Sequence, residues 1–64
     1  MRDFREVLNA RLFTVNNWSH VYDYNDIGDV VTAEGMNDVV GMTVGETREV
    51  PDQGGTTVKV TRVA

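Results

Sequence analysis

Cysteine is absent from the 64 residues, and proline, histidine and tryptophan occur once each. Without cysteine, no disulfide can staple a chain of this size and no thiolate is present for a zinc site. His20 alone cannot build a multi-histidine metal site. Unbroken apolar runs are no longer than pairs such as Val30-Val31 and Val39-Val40, far short of the ~20 residues a membrane-spanning helix needs. Met1 to Val7 alternates charged with apolar residues and shows no apolar core of a secretory signal. A cytoplasmic location is therefore the default expectation. Six Lys and Arg residues, spread along the chain, face ten Asp and Glu. Direct nucleic-acid binding, which needs clustered basic residues, is disfavoured.

What is present is a composition that folds. Hydrophobic residues make up 41%, too many for a disordered acidic tail. A chain this short buries only about 60% of its unfolded surface, so apolar burial and chain ordering nearly cancel. Good packing or a partner, self or other, must then complete one small domain over residues 1–64. Twelve valines and seven threonines favour a sheet.

The net charge of −4 is uneven. Residues 1–22 and 53–64 are weakly basic. The central 23–52 stretch carries Asp23, Asp26, Asp29, Glu34, Asp38, Glu46, Glu49 and Asp52 against Arg48 alone. Such a block is either a solvating face or a negative patch that steers a basic partner.

Along the chain, Phe4, Val7, Leu8 and Leu12 recur with helical spacing and predict a helix over 2–12, with Arg2, Asp3, Arg5, Glu6 and Asn9 opposite. Its end is ambiguous, because Leu12-Phe13-Thr14-Val15 also suits extended backbone. Trp18, His20, Tyr22 and Tyr24 alternate with polar and small residues, a strand signal with aromatics on one face. That face suits the core for Trp18, with His20 half-buried beside it. Residues 25–29 read as a turn and Val30-Val31-Thr32 as a short strand. Over 33–41 a loop with one helical turn is expected, since Gly35, Asn37 and Asp38 are poor helix formers; Thr32 could cap a helix there and Gly41 end it. Thr43 to Val50 reads as a strand beginning in a Val44-Gly45-Glu46 turn. Pro51 to Gly55 is a turn, and 56–63 alternates, with Val58, Val60 and, after a slip, Val63 inward. The expected fold class is α+β: an N-terminal helix on an antiparallel sheet of four to five strands ending in a C-terminal hairpin. The sheet either closes partly into a barrel or stays open with the helix across one face.

Two local patterns carry chemistry elsewhere. From Asp23 to Glu34, oxygen-bearing residues at positions 1 and 3, glycine at 6 and glutamate at 12 resemble an EF-hand calcium loop. Ile27 at position 5 offers no oxygen, and the preceding segment reads as strand, so no metal or cofactor is expected. Gly41-Met42-Thr43-Val44-Gly45-Glu46-Thr47-Arg48-Glu49-Val50-Pro51 resembles a strand segment of FK506-binding-type prolyl isomerases. The chain is too short to hold the aromatic pocket that activity requires, so only the strand is retained. No G-x-S-x-G, phosphate loop or H-E-x-x-H occurs, and catalysis is not expected.

The expected function is a non-enzymatic protein-binding module or inhibitor. Asp23, Asp26, Asp29, Glu34 and Asp38 would meet a basic surface, with Tyr22 and Tyr24 as anchors. If that surface normally grips nucleic acid, the carboxylates would imitate its phosphates. In size, acidity and lack of motifs the chain resembles small host-takeover and anti-defence proteins of bacteriophages. The alternative is a structural subunit that assembles with itself, or that adds the 56–63 strand to a neighbouring sheet edge.

Overall fold

The computed structural model describes residues 4–64, with side chains from Glu6 onward. Its elements are α1 (Phe4–Asn9), β1 (Leu12–Val15), β2 (Tyr22–Asp23), α2 (Tyr24–Ile27), α3 (Ala33–Val40), β3 (Thr47–Pro51) and β4 (Thr57–Arg62). The strands form one antiparallel sheet in the order β2-β1-β4-β3. It is an open sheet rather than a barrel, and the mixed α+β class follows. No described helix is long and apolar enough to cross a membrane.

The N-terminal helix is shorter than its spacing suggests. It stops at Asn9, and Leu12 starts β1, because the β-formers Leu12 to Val15 pair with both β2 and β4. Leu8 is buried, whereas Val7 and Leu12 are exposed. Arg2 and Asp3, and the side chains of Phe4 and Arg5, lie outside the described residues.

Asn16 and Asn17 both take left-handed backbone, with φ of 52° and 61°, and the Trp18 N–H donates to the Val15 carbonyl at 2.9 Å. This is a type I′ turn, whose two positive-φ centres suit asparagine. A simple hairpin would set Trp18 opposite Val15, but the observed register pairs Phe13 with Tyr22 and Leu12 with Asp23, two residues further on. The surplus is taken up by residues 18–21. Here the alternation misleads: Trp18 is 57% exposed rather than in the core. His20 is also exposed, with its ring edge-on to Tyr22 at 4.4 Å. Tyr24 leaves the strand altogether and opens α2.

Residues 33–40 form a full helix, not a loop. Thr32 caps it, its hydroxyl accepting from the Gly35 N–H at 3.1 Å, and Gly41 ends it. The poor helix formers are outweighed by tertiary packing. Gly35 is needed because the helix meets β3 there: a Cβ would lie 2.8 Å from the Pro51 carbonyl oxygen and 3.2 Å from Val31 Cβ. The expected strand at 30–32 reduces to one bridge, Val31 to Asp52. The strand expected from Thr43 starts later, at Thr47, after a turn closed by the Glu46 N–H on the Thr43 carbonyl.

The C-terminal hairpin is as the sequence pattern predicts, with Val50 opposite Val58 and Glu49 opposite Lys59. Val58 and Val60 point inward, but there is no slip, so Arg62 faces inward and Val63 outward, 44% exposed. Phe13, Val15, Ile27, Val31, Val39, Met42, Val50, Val58 and Val60 make the core, between one sheet face and the α2–α3 layer. Among the described residues no element packs on the other face, as antiparallel sheets permit. Thr14, Thr61 and Thr47 form a row across it, the last two joined hydroxyl to hydroxyl at 2.7 Å.

Candidate functional site

Seven of the eight acidic residues of 23–52 divide into two groups, and the eighth, Glu49, stands apart on β3, exposed on the other sheet face opposite Lys59. Asp23, Glu46 and Asp52 are engaged in the fold. Asp23 Oδ1 accepts the Asp26 N–H at 2.7 Å and caps α2. Glu46 accepts from the Thr43 N–H at 2.9 Å and pairs with the Arg48 guanidinium. Asp52 accepts from the N–H groups of Gly54 and Thr56, at 3.0 and 2.9 Å, and from the Thr56 hydroxyl. It thereby shapes the β3–β4 turn, where Gly55 takes a φ of 86°.

These bonds hold two carboxyls below their ordinary range. For Asp52 the main cause is the Thr56 backbone N–H, followed by the Thr56 hydroxyl. For Glu46 it is the Thr43 backbone N–H, followed by Arg48. A carboxyl whose pKa is lowered by folding stabilises the fold above its unfolded pKa, and that contribution is lost as pH falls through the folded value. Thermal midpoints measured down through the acid range should therefore fall, and Asp52→Asn should flatten that dependence. An unchanged slope in the variant would contradict the assignment.

The second group is Asp26, Asp29, Glu34 and Asp38. All four are exposed. Their carboxylates take part in no hydrogen bond or ion pair among the described residues. They lie on α2, on α3 and on the link between them, which together form the outer layer over the core. Glu34 and Asp38 are four residues apart on one helix face, where like charges destabilise by a few tenths of a kcal/mol.

Tyr22 and Tyr24, the expected anchors, are half-buried and packed against the core. They do not share a strand face. Tyr22 is on the core side of β2 opposite Phe13, and Tyr24 lines an open cleft of about 320 Å³ with Asn9, Asn25, Gly28 and Met36. That cleft exists because α1, α2 and α3 come together in three dimensions. Nothing in the sequence around Asn9 or Met36 signals it. The EF-hand spacing does not assemble a cation cage: the Asp23 cap oxygen holds an N–H, Ile27 is fully buried, and among the described residues no three acidic or histidine side chains gather.

The described arginine side chains sit elsewhere. α3 has no basic residue in its last turn. Instead Arg11, Arg48 and Arg62 donate to the carbonyls of Val40 (2.9 Å), Asp38 (3.3 Å) and Met42 (2.9 Å). Sheet register brings them to that corner, since Arg62 lies opposite Phe13 and Arg48 opposite Val60 on the core face. The guanidiniums of Arg11 and Arg48 thus meet the negative end of the α3 dipole, Arg62 holds the carbonyl just beyond its Gly41 cap, and Glu34 sits in its first turn. Charge is separated along this helix, with the cations turned to backbone and the carboxylates to solvent. No protein family, no curated protein and no solved structure matches this chain.

Proposed function

We propose that this chain is a protein-binding module whose α2–α3 surface engages a basic partner through Asp26, Asp29, Glu34 and Asp38. The observation that carries this is that these four carboxylates are exposed and unpaired among the described residues, whereas Asp23, Glu46 and Asp52 are held by their own turns and caps. Unpaired charge of one sign on one layer raises encounter rates with an oppositely charged surface and selects against acidic ones. Asp23 serves by fixing α2, and Tyr24 adds a half-buried ring beside Asp26. Where the partner's basic face normally grips nucleic acid, the carboxylates take the place of phosphates, and the module acts as an inhibitor.

Titration with a synthetic Arg- and Lys-rich peptide tests the proposal. Affinity should drop at least about tenfold between low and physiological salt, as exposed charges are screened. It should drop similarly in the quadruple variant Asp26→Asn, Asp29→Asn, Glu34→Gln, Asp38→Asn. A control that neutralises Glu6 and Glu49 instead should bind nearly as well as the parent. Losses in proportion to the charges removed, four against two, would mean that net charge, and not this surface, does the binding.

A further inference from the structure

We infer that the open face of the sheet is a self-association surface and that its occupant is a second copy of this chain, packed face to face about a two-fold axis. The inference does not depend on the acidic-surface proposal, which concerns the opposite side of the molecule.

Three of the seven large apolar side chains exposed among the described residues lie on this face, while Val7, Trp18, Val40 and Val44 lie outside the strands. Leu12, Val21 and Val63 are 36%, 45% and 44% exposed. Strand alternation puts Leu12 and Val63 opposite the core side, and Val63 donates its N–H to the Leu12 carbonyl at 2.8 Å, so the two are cross-strand neighbours. Val21 precedes the core-facing Tyr22 and falls on the same side as Leu12. Beside them runs the row Thr14, Thr61, Thr47, in which the hydroxyls of Thr61 and Thr47 bond each other.

Charge decides between occupants. On a molecule of net charge −4, this face carries Lys59 and Glu49, directly opposite each other. Asp23, at its margin, is committed to its helix cap. The face is therefore close to neutral, whereas the α2–α3 side bears four unpaired carboxylates and would repel its own copy. A basic protein is drawn to the helical side, and a second copy is tolerated only here.

The register makes the face complementary to itself. Across β1 and β4, Leu12 is opposite Val63, Thr14 opposite Thr61, and Asn16 opposite Lys59. A two-fold axis between these strands and parallel to them lays each β1 over the other copy's β4. Leu12 then meets Val63 of the second copy, Thr14 meets Thr61, and Lys59 meets the neutral Asn16. No like charges are opposed, as an isologous interface requires.

Strand addition does not compete. β4 is paired on both sides. Along the outer edge of β3, Pro51 has no N–H and its carbonyl accepts from the Thr32 N–H at 3.1 Å, leaving Thr47 and Glu49 alone to offer backbone groups. β2 has two residues.

A face this small buries less than the ~1,600 Å² of a standard interface, so association is concentration-dependent. Sedimentation equilibrium on the intact chain should show mass rising from 7.1 kDa towards twice that value across the micromolar range. Val63→Asp and Thr61→Arg should each raise the dimer dissociation constant by at least about tenfold, while Asp26→Lys on the helical side should not raise it. A chain that stays monomeric up to millimolar concentration overturns the inference, as does a dimer that neither variant weakens. Should either variant unfold, NMR of the unaltered chain on dilution decides. Shifts confined to Leu12, Thr14, Thr61 and Val63 support the interface, and shifts confined to α2 and α3 refute it.

Discussion

Replacing Phe13 by alanine is expected to remove a large share of the protein's stability, while replacing the larger ring of Trp18 should shift it by less than about 0.5 kcal/mol. Phe13 is fully buried in β1, paired with Tyr22 on one side and Arg62 on the other. Removing a core phenylalanine costs about 3–5 kcal/mol, because the cavity collapses only in part. A 64-residue fold holds on the order of 3–10 kcal/mol in total. For so small a domain each kcal/mol moves the melting point by about 4–8 °C, so even a surviving fold should lose some tens of degrees. Trp18 is on the outside of the β1–β2 connection, and an exposed substitution there removes little burial. Urea titration followed by far-UV circular dichroism reads both variants. Comparable losses in the two would mean that the indole is packed and the register of the connection is wrong.

Gly35→Ala is the second large effect, and its sign runs against helix propensity. Within a helix, alanine is normally favoured over glycine by about 1 kcal/mol. At this position the added methyl would come 2.8 Å from the Pro51 carbonyl oxygen, a backbone atom already held by the Thr32 N–H. Neither element yields cheaply: Thr32 caps α3, and Pro51 belongs to β3. Overpacking of this kind costs typically about 1–3 kcal/mol, so after the propensity gain of about 1 kcal/mol the net change should be destabilising by up to about 2 kcal/mol. Asn37→Ala, exposed on the same helix, serves as the comparison and should stabilise by a few tenths of a kcal/mol. If both variants gained stability, the helix would not lie close against β3.

The two pairs also mark what the sequence could and could not disclose. The C-terminal hairpin was legible because Val58 and Val60 alternate with polar residues and Pro51 to Gly55 supply turn chemistry, so every signal is local. Trp18 was misplaced for a reason that is not local. Its alternation with His20 and Tyr22 is genuine, but β2 takes its register from β1 through a two-residue offset that no single-strand pattern encodes. α3 was hidden by Gly35, which reads as a helix breaker and is in fact the residue that lets helix and sheet touch. The division of the carboxylates was half visible. Asp23, followed by Asp26, and Thr32, followed by Gly35, have capping spacing, and Asp52 before Gly54-Gly55 has the form of an Asx turn. The arginine corner was not visible, since Arg11, Arg48 and Arg62 are distant in sequence and meet only through the sheet.

The central position of β4 bears on the order in which the structure can form. β4, the last of the described strands in chain order, is the one that pairs with both β1 and β3, so until residue 62 has emerged β1 has only the two-residue β2 as a strand partner. Joining Phe13 to Arg62 closes most of the described residues into a loop, and such distant pairing slows folding. Nascent chains that stop short of β4 lack the strand that unites the two halves, and with it the means to bury Phe13 and Val15. They would be exposed to proteases, whereas a chain that reaches Arg62 can fold as a unit.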